Sequence, residues 1–445
     1  MKLSFKDKNI TVVGLARSGV AAARALKAFG ANVTVTDKKP LNMLLAQVGV
    51  LGDDIKVEVG GHPAWVFNEA DLIVMSPGVP NIPQVIQAKR LGVKVISELE
   101  LAWLLSDAPY VGITGTNGKS TVTTLVGLML TKAKKKVLVA GNIGNALTED
   151  LGLLKNQDWI VAEISSFQLE YIETFRPRVA TILNVTQDHL DRYQRIEEYS
   201  EAKARIFMNQ EKGDVLILNF DDPLVKSYAM RTSATVIPFS RMLHFSPGAC
   251  VQQGILTYNE KRICRIDDIR IQGIHNLENA LAAAAISISA GADIESVAGV
   301  LREFTGLEHR LEFVSEKNGV TFINDSKGTN VGAVIKSIES FSQPVILIAG
   351  GSDKGSDFSP LYDLIKHKVK LLILIGNAAT KMGQVLGTAT ETVYSHTLQD
   401  AVLVASQRAL RGDIVLLSPA CASFDMFKDF EDRGVQFKEA VQALE

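Results

Sequence analysis

Gly112–Val122 reads GITGTNGKSTV. An apolar run, Tyr110-Val111-Gly112-Ile113-Thr114, leads into a glycine turn, and Lys119-Ser120-Thr121 opens an apolar segment, Val122–Leu130, of helical length and composition. Strand, glycine loop and helix in that order hold a nucleotide polyphosphate. Backbone N–H groups of the loop and the helix start point at the phosphates, the lysine ammonium neutralises them, and the hydroxyl after it can ligate magnesium. The spacing departs from the usual form, because position 113 is Ile and the glycines are Gly112, Gly115 and Gly118. A plain glycine turn would not need Gly-Lys-Ser-Thr at the start of a helix, so this stretch predicts the use of ATP or GTP.

Around the loop, a middle segment runs from about Glu100 to Thr305. Val137–Ala140, Trp159–Ile164, Val179–Leu183 and Asp214–Leu218 read as strands, short β-like runs fill Ala234–Ile274, and His275-Asn276-Leu277-Glu278-Asn279 begins an alanine-rich helix. In open α/β sheets ligands gather at the carboxyl ends of strands, which directs Glu163, Asn184, Asp188 and His189 toward the phosphate loop. A first segment, Met1 to about Leu99, has strands at Asn9–Val13, Asn32–Thr36, Asp71–Met75 and Val93–Ile96, a turn at Gly14–Gly19 and a helix at Val20–Phe29. This is the alternation of a parallel dinucleotide-binding sheet. Asp37 stands about 20 residues past the glycine turn, where an NAD ribose would be held, but GxGxxG is not met and another nucleotide-bearing ligand suits the same edge. A third segment, Gly306–Glu445, is again α/β, with strands at Val320–Ile323, Val345–Ala349, Leu371–Ile375 and Asp413–Leu417. The fold class expected is therefore α/β in three domains: a Rossmann-like domain (1–99), a central phosphate-loop domain with a parallel sheet (100–305) and a C-terminal Rossmann-like domain (306–445).

Composition narrows the function. At 445 residues the chain exceeds what one hydrophobic core serves, at roughly 100–200 residues per domain. A formal net charge of −2 lacks the basic excess of a nucleic-acid-wrapping protein, and Lys134-Lys135-Lys136 reads as a solvated turn after a helix. Three cysteines, Cys250, Cys264 and Cys421, without CxxC spacing, form neither a disulfide framework nor a thiolate metal site. Met1–Ile10 lacks a signal-peptide core, and no apolar run approaches the ~18 residues of a membrane helix. A cytoplasmic protein with no membrane insertion is expected.

The phosphate loop needs magnesium, which prefers oxygen ligands and retained waters. Ser120 is the natural first ligand, and Glu163 can bind directly or through water, or stand as an ion-paired strand-end acid. His189, in DHLDRY, admits a structural and a functional reading. Lys203, within Tyr199–Phe207, reads by itself as a solvated helix lysine. Arg310, Lys327 and Lys354 lie in loops beside glycines and acids, where a domain could deliver cations to a polyphosphate; surface ion pairing is the competing account.

GITGTNGKST (112–121), GNIG (141–144), EISSFQLE (163–170), NVTQDHLDRY (184–193), HNLEN (275–279), EHRLE (308–312), NDSKGTN (324–330), GGSDKG (350–355) and LSPACASFDMFKDFEDRG (417–434) together resemble the Mur ligases of bacterial cell-wall synthesis. Within that family they resemble the branch that adds D-glutamate. The resemblance covers essentially the whole chain, and this family's loop is TGTNGKS/T. Some of the motifs are shared with folylpolyglutamate synthases. A nucleotide-switched binding module and an NAD-dependent enzyme compete with the ligase as functions for such a chain.

The resemblance implies an ATP-dependent ligase. ATP would be held by Gly115, Thr116, Asn117, Gly118, Lys119, Ser120, Thr121, Asn276, Asn279, Arg310 and Asp325. Two magnesium ions would be held by Ser120, Glu163, His189 and Lys203, the last as a carbamate, which reverses the reading of Lys203 as a surface lysine. The uridine nucleotide of the muramoyl substrate would lie near Leu15, Arg17, Asp37, Ser76 and Asn142. D-Glutamate would lie near Lys327, Thr329, Lys354, Ser423 and Phe430. The expected reaction activates the L-alanine carboxylate of UDP-N-acetylmuramoyl-L-alanine as an acyl phosphate, which the D-glutamate amine attacks, with Lys119, His189 and Lys203 as the catalytic set. A monomer is expected.

Overall fold

A computed structural model describes residues 4–149, 158–188, 192–271, 273–353 and 355–444. It contains three sheets. The first holds β1 (Asn9–Val13), β2 (Asn32–Asp37), β3 (Lys56–Val59), β4 (Leu72–Met75) and β5 (Lys94–Ser97) in the order β3-β2-β1-β4-β5, and every neighbouring pair is parallel. The second holds β6 (Tyr110–Thr114), β7 (Val137–Gly141), β8 (Trp159–Glu163), β9 (Val179–Ile182), β10 (Val215–Asn219), β11 (Thr235–Ser240), β12 (Ala249–Gln252), β13 (Ile255–Tyr258) and β14 (Lys261–Arg265). Its order is β14-β13-β12-β11-β10-β9-β6-β8-β7, parallel except where β13 pairs with β12 and β14. The third holds β15 (Glu312–Lys317), β16 (Val320–Asn324), β17 (Val345–Gly350), β18 (Val369–Ile375), β19 (Glu391–Tyr394) and β20 (Ile414–Leu417), ordered β15-β16-β20-β17-β18-β19, with only β15 antiparallel.

The chain divides into two compact units. One comprises Met1–Val185, Glu197–Ile269 and Glu278–Glu303, and so contains the first two sheets; the other comprises Thr186–Ile196, Arg270–Leu277 and Phe304–Glu445.

Parallel strands buried on both faces read as continuous apolar runs, and the cores follow that rule. In the third sheet Leu347, Ala349, Leu372, Leu374 and Leu416 face one core, while Ile346, Ile348, Leu371, Ile373 and Leu417 face the other. In the first sheet Val74 and Ile73 separate in the same way. Strands β3, β15 and β19 have no counterpart in the sequence reading. All three are edge strands with half-exposed side chains; none is a continuous apolar run, β15 and β19 do not alternate cleanly, and the alternation of β3 covers only four residues. The turn expected at Gly14–Gly19 ends sooner, because the helix Arg17–Ala28 begins inside it. Gly19 permits that start: a Cβ there would sit 1.8 Å from the Gly14 carbonyl oxygen.

Within the first unit, the buried Glu100 carboxylate accepts the backbone N–H groups of Glu173, Thr174 and Phe175, tying the helix after the first sheet to the segment before β9. The cysteines are all free and buried, and burial pushes the thiols of Cys264 and Cys421 up to about 11 and about 12. Among the described residues no helix is long and apolar enough to cross a membrane.

Candidate active site

The phosphate loop lies where β6 passes into the helix Lys119–Lys132. Gly118 caps that helix in the left-handed region (φ +86°), and a Cβ there would also lie 2.3 Å from Asn279 Oδ1, so both conformation and space require glycine. Asn184, two residues beyond β9, clamps the loop. Its Oδ1 accepts from Asn117 N (2.9 Å), its Nδ2 donates to Asn117 O (3.1 Å), and its backbone oxygen accepts from Thr116 N (3.0 Å). Lys119 Nζ donates back into the loop, to Gly115 O (2.9 Å) and Thr116 O (2.8 Å).

Lys203 corrects the reading of its own sequence neighbourhood. It is 1 % exposed, its Nζ donates to Gly115 O at 2.8 Å, and it lies 4.3 Å from the centroid of the Tyr199 ring one turn earlier. The helix Ile196–Ala204 buries Tyr199, Ser200, Ala202, Lys203 and Ala204. Apart from Tyr199 that inward face is carried by small or polar residues, so no apolar stripe reveals it and the lysine passes for a solvated one.

Glu163 ends β8 and is paired in register with Ile113, two residues before Gly115 of the loop. It is 2 % exposed. Its Oε1 accepts from Asn142 Nδ2 at 2.7 Å, while Oε2 is buried without a hydrogen-bond partner. An orphaned buried carboxylate oxygen costs free energy unless a cation or donor meets it. The donor set, a buried carboxylate and the Ser120 hydroxyl at a helix start, is all oxygen and leaves positions for phosphates and waters, as magnesium requires. Among the described residues no three His, Cys, Asp or Glu side chains converge as a metal cluster. His189 lies outside the described residues.

At the carboxyl edge of the first sheet, Asp37 Oδ2 accepts from Leu15 N (2.7 Å) and Oδ1 from Lys39 N (2.9 Å). Ser76 Oγ donates to Gly14 O at 3.0 Å. Leu15, Asp37 and Ser76 thus meet around one turn, with Arg17 exposed on the first turn of the adjoining helix. Asn142 belongs instead to the end of β7, on Glu163. Asn276 and Asn279 are both buried on the helix Ile274–Ser289.

In the second unit β16 and β20 are neighbours, Asn324 opposite Leu417, and the loops after them carry the remaining candidates. Lys327 Nζ lies 4.6 Å from the Phe430 ring centroid, and Thr329 N donates to Lys327 O. Asp325 is 3 % exposed and accepts the hydroxyls of Ser337 and Ser418, each at 2.7 Å; burial raises its carboxyl despite those donors and the nearby Arg310. Arg310 Nε is buried without a partner. Ser423 is buried, and Asn330, which caps the helix Val331–Glu339, donates to Asp188 at 3.1 Å. Lys354 lies outside the described residues.

Residues without an assigned role in the sequence reading also organise this region. His309, in the left-handed region (φ +62°), accepts Lys327 N on its backbone oxygen and holds Asn324 at 3.0 Å through Nδ1. Arg433 is wholly buried, and burial pulls its guanidinium down to about 10, still protonated at neutral pH. Nothing in spacing or periodicity marks either residue.

Comparison with known proteins covers nearly all of the chain. Family models match residues 8–97 (Mur ligase MurD-like, N-terminal domain), 113–287 (Mur ligase middle domain) and 309–421 (Mur ligase, glutamate ligase domain). The chain is 48 % identical over 448 residues to UDP-N-acetylmuramoylalanine--D-glutamate ligase of Geotalea uraniireducens, covering 100 % of this chain and 99 % of that one. It is 44 % identical over 451 residues to the protein of the same name from Caldanaerobacter subterraneus subsp. tengcongensis, covering 99 % and 100 %. Among solved structures, a pseudomurein peptide ligase type C from Methanothermus fervidus is similar with a TM-score of 0.62 at 20 % identity, covering 99 % of this chain and 100 % of that one. UDP-N-acetylmuramate-alanine ligase from Thermotoga maritima gives 0.62 at 18 %, covering 98 % and 99 %.

Proposed function

The chain belongs to the Mur ligase family, and from that premise we propose that it joins D-glutamate to the L-alanine carboxylate of UDP-N-acetylmuramoyl-L-alanine, consuming ATP. The observation that carries the reading is near-half identity over the full length to ligases of that name, on a chain whose phosphate loop is flanked by Glu163 and Lys203. The segments 1–99, 100–305 and 306–445 hold the uridine nucleotide, ATP and D-glutamate in turn.

ATP phosphorylates the alanine carboxylate, replacing oxide with a far better leaving group. The D-glutamate amine then attacks the acyl phosphate, and phosphate departs to leave an amide. Lys119, released from Gly115 O and Thr116 O, offsets charge on the phosphate oxygens. Ser120 and Glu163 would hold magnesium, which would supply charge neutralisation to the polyphosphate. Lys203, as a carbamate, and His189 would serve as ligands of a second ion. Lys327, Thr329, Ser423, Phe430 and Lys354 lie near the D-glutamate carboxylates in this reading. The enzyme works as a cytoplasmic monomer, in keeping with a sugar-nucleotide substrate.

Phosphate release measured with UDP-N-acetylmuramoyl-L-alanine and each glutamate enantiomer, with the product identified by mass spectrometry, tests the reading. An amide formed only with D-glutamate is expected; activity confined to a folate and L-glutamate overturns it.

A further inference from the structure

Arg433 has no exposed surface, and among the described residues no carboxylate is hydrogen-bonded to it. Burying a charge is costly, and here every hydrogen bond to it comes from carbonyl and hydroxyl oxygens, with the Asp425 and Asp325 carboxylates acting on it only through space. Nε donates to Ser326 Oγ (2.9 Å) and Nη2 to Ser326 O (2.8 Å), one edge of the fork on one residue. Nη1 and Nη2 both reach Cys421 O at 3.3 Å, and Nη1 also reaches Ala422 O at 3.4 Å. The guanidinium therefore spans two loops from different strands. Ser326 immediately precedes Lys327, and Ala422 immediately precedes Ser423. Ser326 Oγ in turn donates to Phe430 O at 2.8 Å, and the Phe430 ring lies against Lys327 Nζ.

We infer that Arg433 is the positioning residue of the D-glutamate site: its planar fork sets the separation of the Lys327 and Ser423 loops, and its buried charge lies beneath them. The inference rests on the reading of that site given under Proposed function. Only a planar fork with five donors makes both sets of bonds at once; a lysine ammonium, with a single nitrogen, cannot span them. Asp425 and Asp325 offset part of the charge through space without forming a hydrogen bond to it, and the remainder adds to the positive field that a dicarboxylate meets.

The test is steady-state kinetics on Arg433→Lys, Arg433→Ala and Ser326→Ala, with thermal melts to establish folding. Arg433→Lys should raise KM for D-glutamate about tenfold or more, the scale of a lost charge-assisted bond network, with KM for ATP and for the muramoyl nucleotide within about twofold. Millimolar guanidinium should partly restore D-glutamate affinity to Arg433→Ala. Ser326→Ala keeps the charge but cuts the link to Phe430, and should raise the same KM by about three- to fivefold; it decides the matter if the Arg433 variants do not fold. A folded Arg433→Lys with unchanged KM for D-glutamate, or an equal rise in all three constants, overturns the inference. Wild-type protein that does not use D-glutamate overturns the functional reading instead.

Discussion

Lys119 and Lys203 share one acceptor: both ammonium groups donate to the Gly115 carbonyl oxygen, at 2.9 and 2.8 Å. One lysine opens the helix after the phosphate loop, and the other lies far along the chain on the helix Ile196–Ala204. Two like charges converging on one carbonyl repel each other, and carbamylation of Lys203 would remove one of them.

Lys119→Ala should abolish turnover, a loss of about a thousandfold or more, while the circular dichroism spectrum and melting temperature stay near wild type. The bonds from Nζ to Gly115 O and Thr116 O are local to the loop, so the fold should tolerate their loss. Near-normal turnover would remove the phosphate-loop assignment.

Lys203→Ala should lose activity about a hundredfold or more, with partial recovery on adding short carboxylic acids that take the place of the carbamate. An unaffected variant would dispose of the carbamate. Loss of activity without any recovery, in a folded variant, would assign this lysine's role to its bond with Gly115 O.

Glu163→Gln keeps an oxygen to accept from Asn142 but withdraws the charge from the orphaned Oε2 position. The magnesium concentration for half-maximal rate should rise about tenfold or more. The magnesium-free protein should melt at the same temperature or higher, because an uncompensated buried charge has gone. An unchanged magnesium requirement would exclude Glu163 as a ligand.

His275 is pushed down to about 4 by burial, with Lys336 and Arg310 adding repulsion. A folded-state value below the unfolded value of 6.5 means that the unfolded chain binds the extra proton first. Its contribution to stability is complete above pH 6.5 and is lost as pH falls toward 4, at up to about 1.4 kcal/mol per pH unit. Urea unfolding of His275→Asn between those limits should show a flatter acid limb than wild type. Parallel curves would refute the assignment.

The three-part α/β architecture was legible because strands buried on both faces need continuous apolar runs. Tyr110–Thr114 and Val345–Gly350 announce themselves in that way. The edge strands β3, β15 and β19 were not, since half-exposed edges impose no such pattern. In the site, Gly118, Lys119, Ser120 and Glu163 could be read locally, because a loop between strand and helix and a strand-end acid have their surroundings written within a few residues.

What the amino-acid order determined by itself was the phosphate loop, the sheets that frame it and the absence of disulfide or thiolate-metal spacing. Each of these is a short-range constraint of backbone conformation, periodicity or spacing. Only the tertiary structure decided that Lys203 is buried on Gly115, that Glu163 keeps one oxygen without a partner, and that Arg433 joins Ser326 to Cys421 and Ala422. Burial and hydrogen bonding of a polar side chain depend on which distant segments pack over it, and a lysine or arginine has the same letters around it whether water or a carbonyl meets its charge.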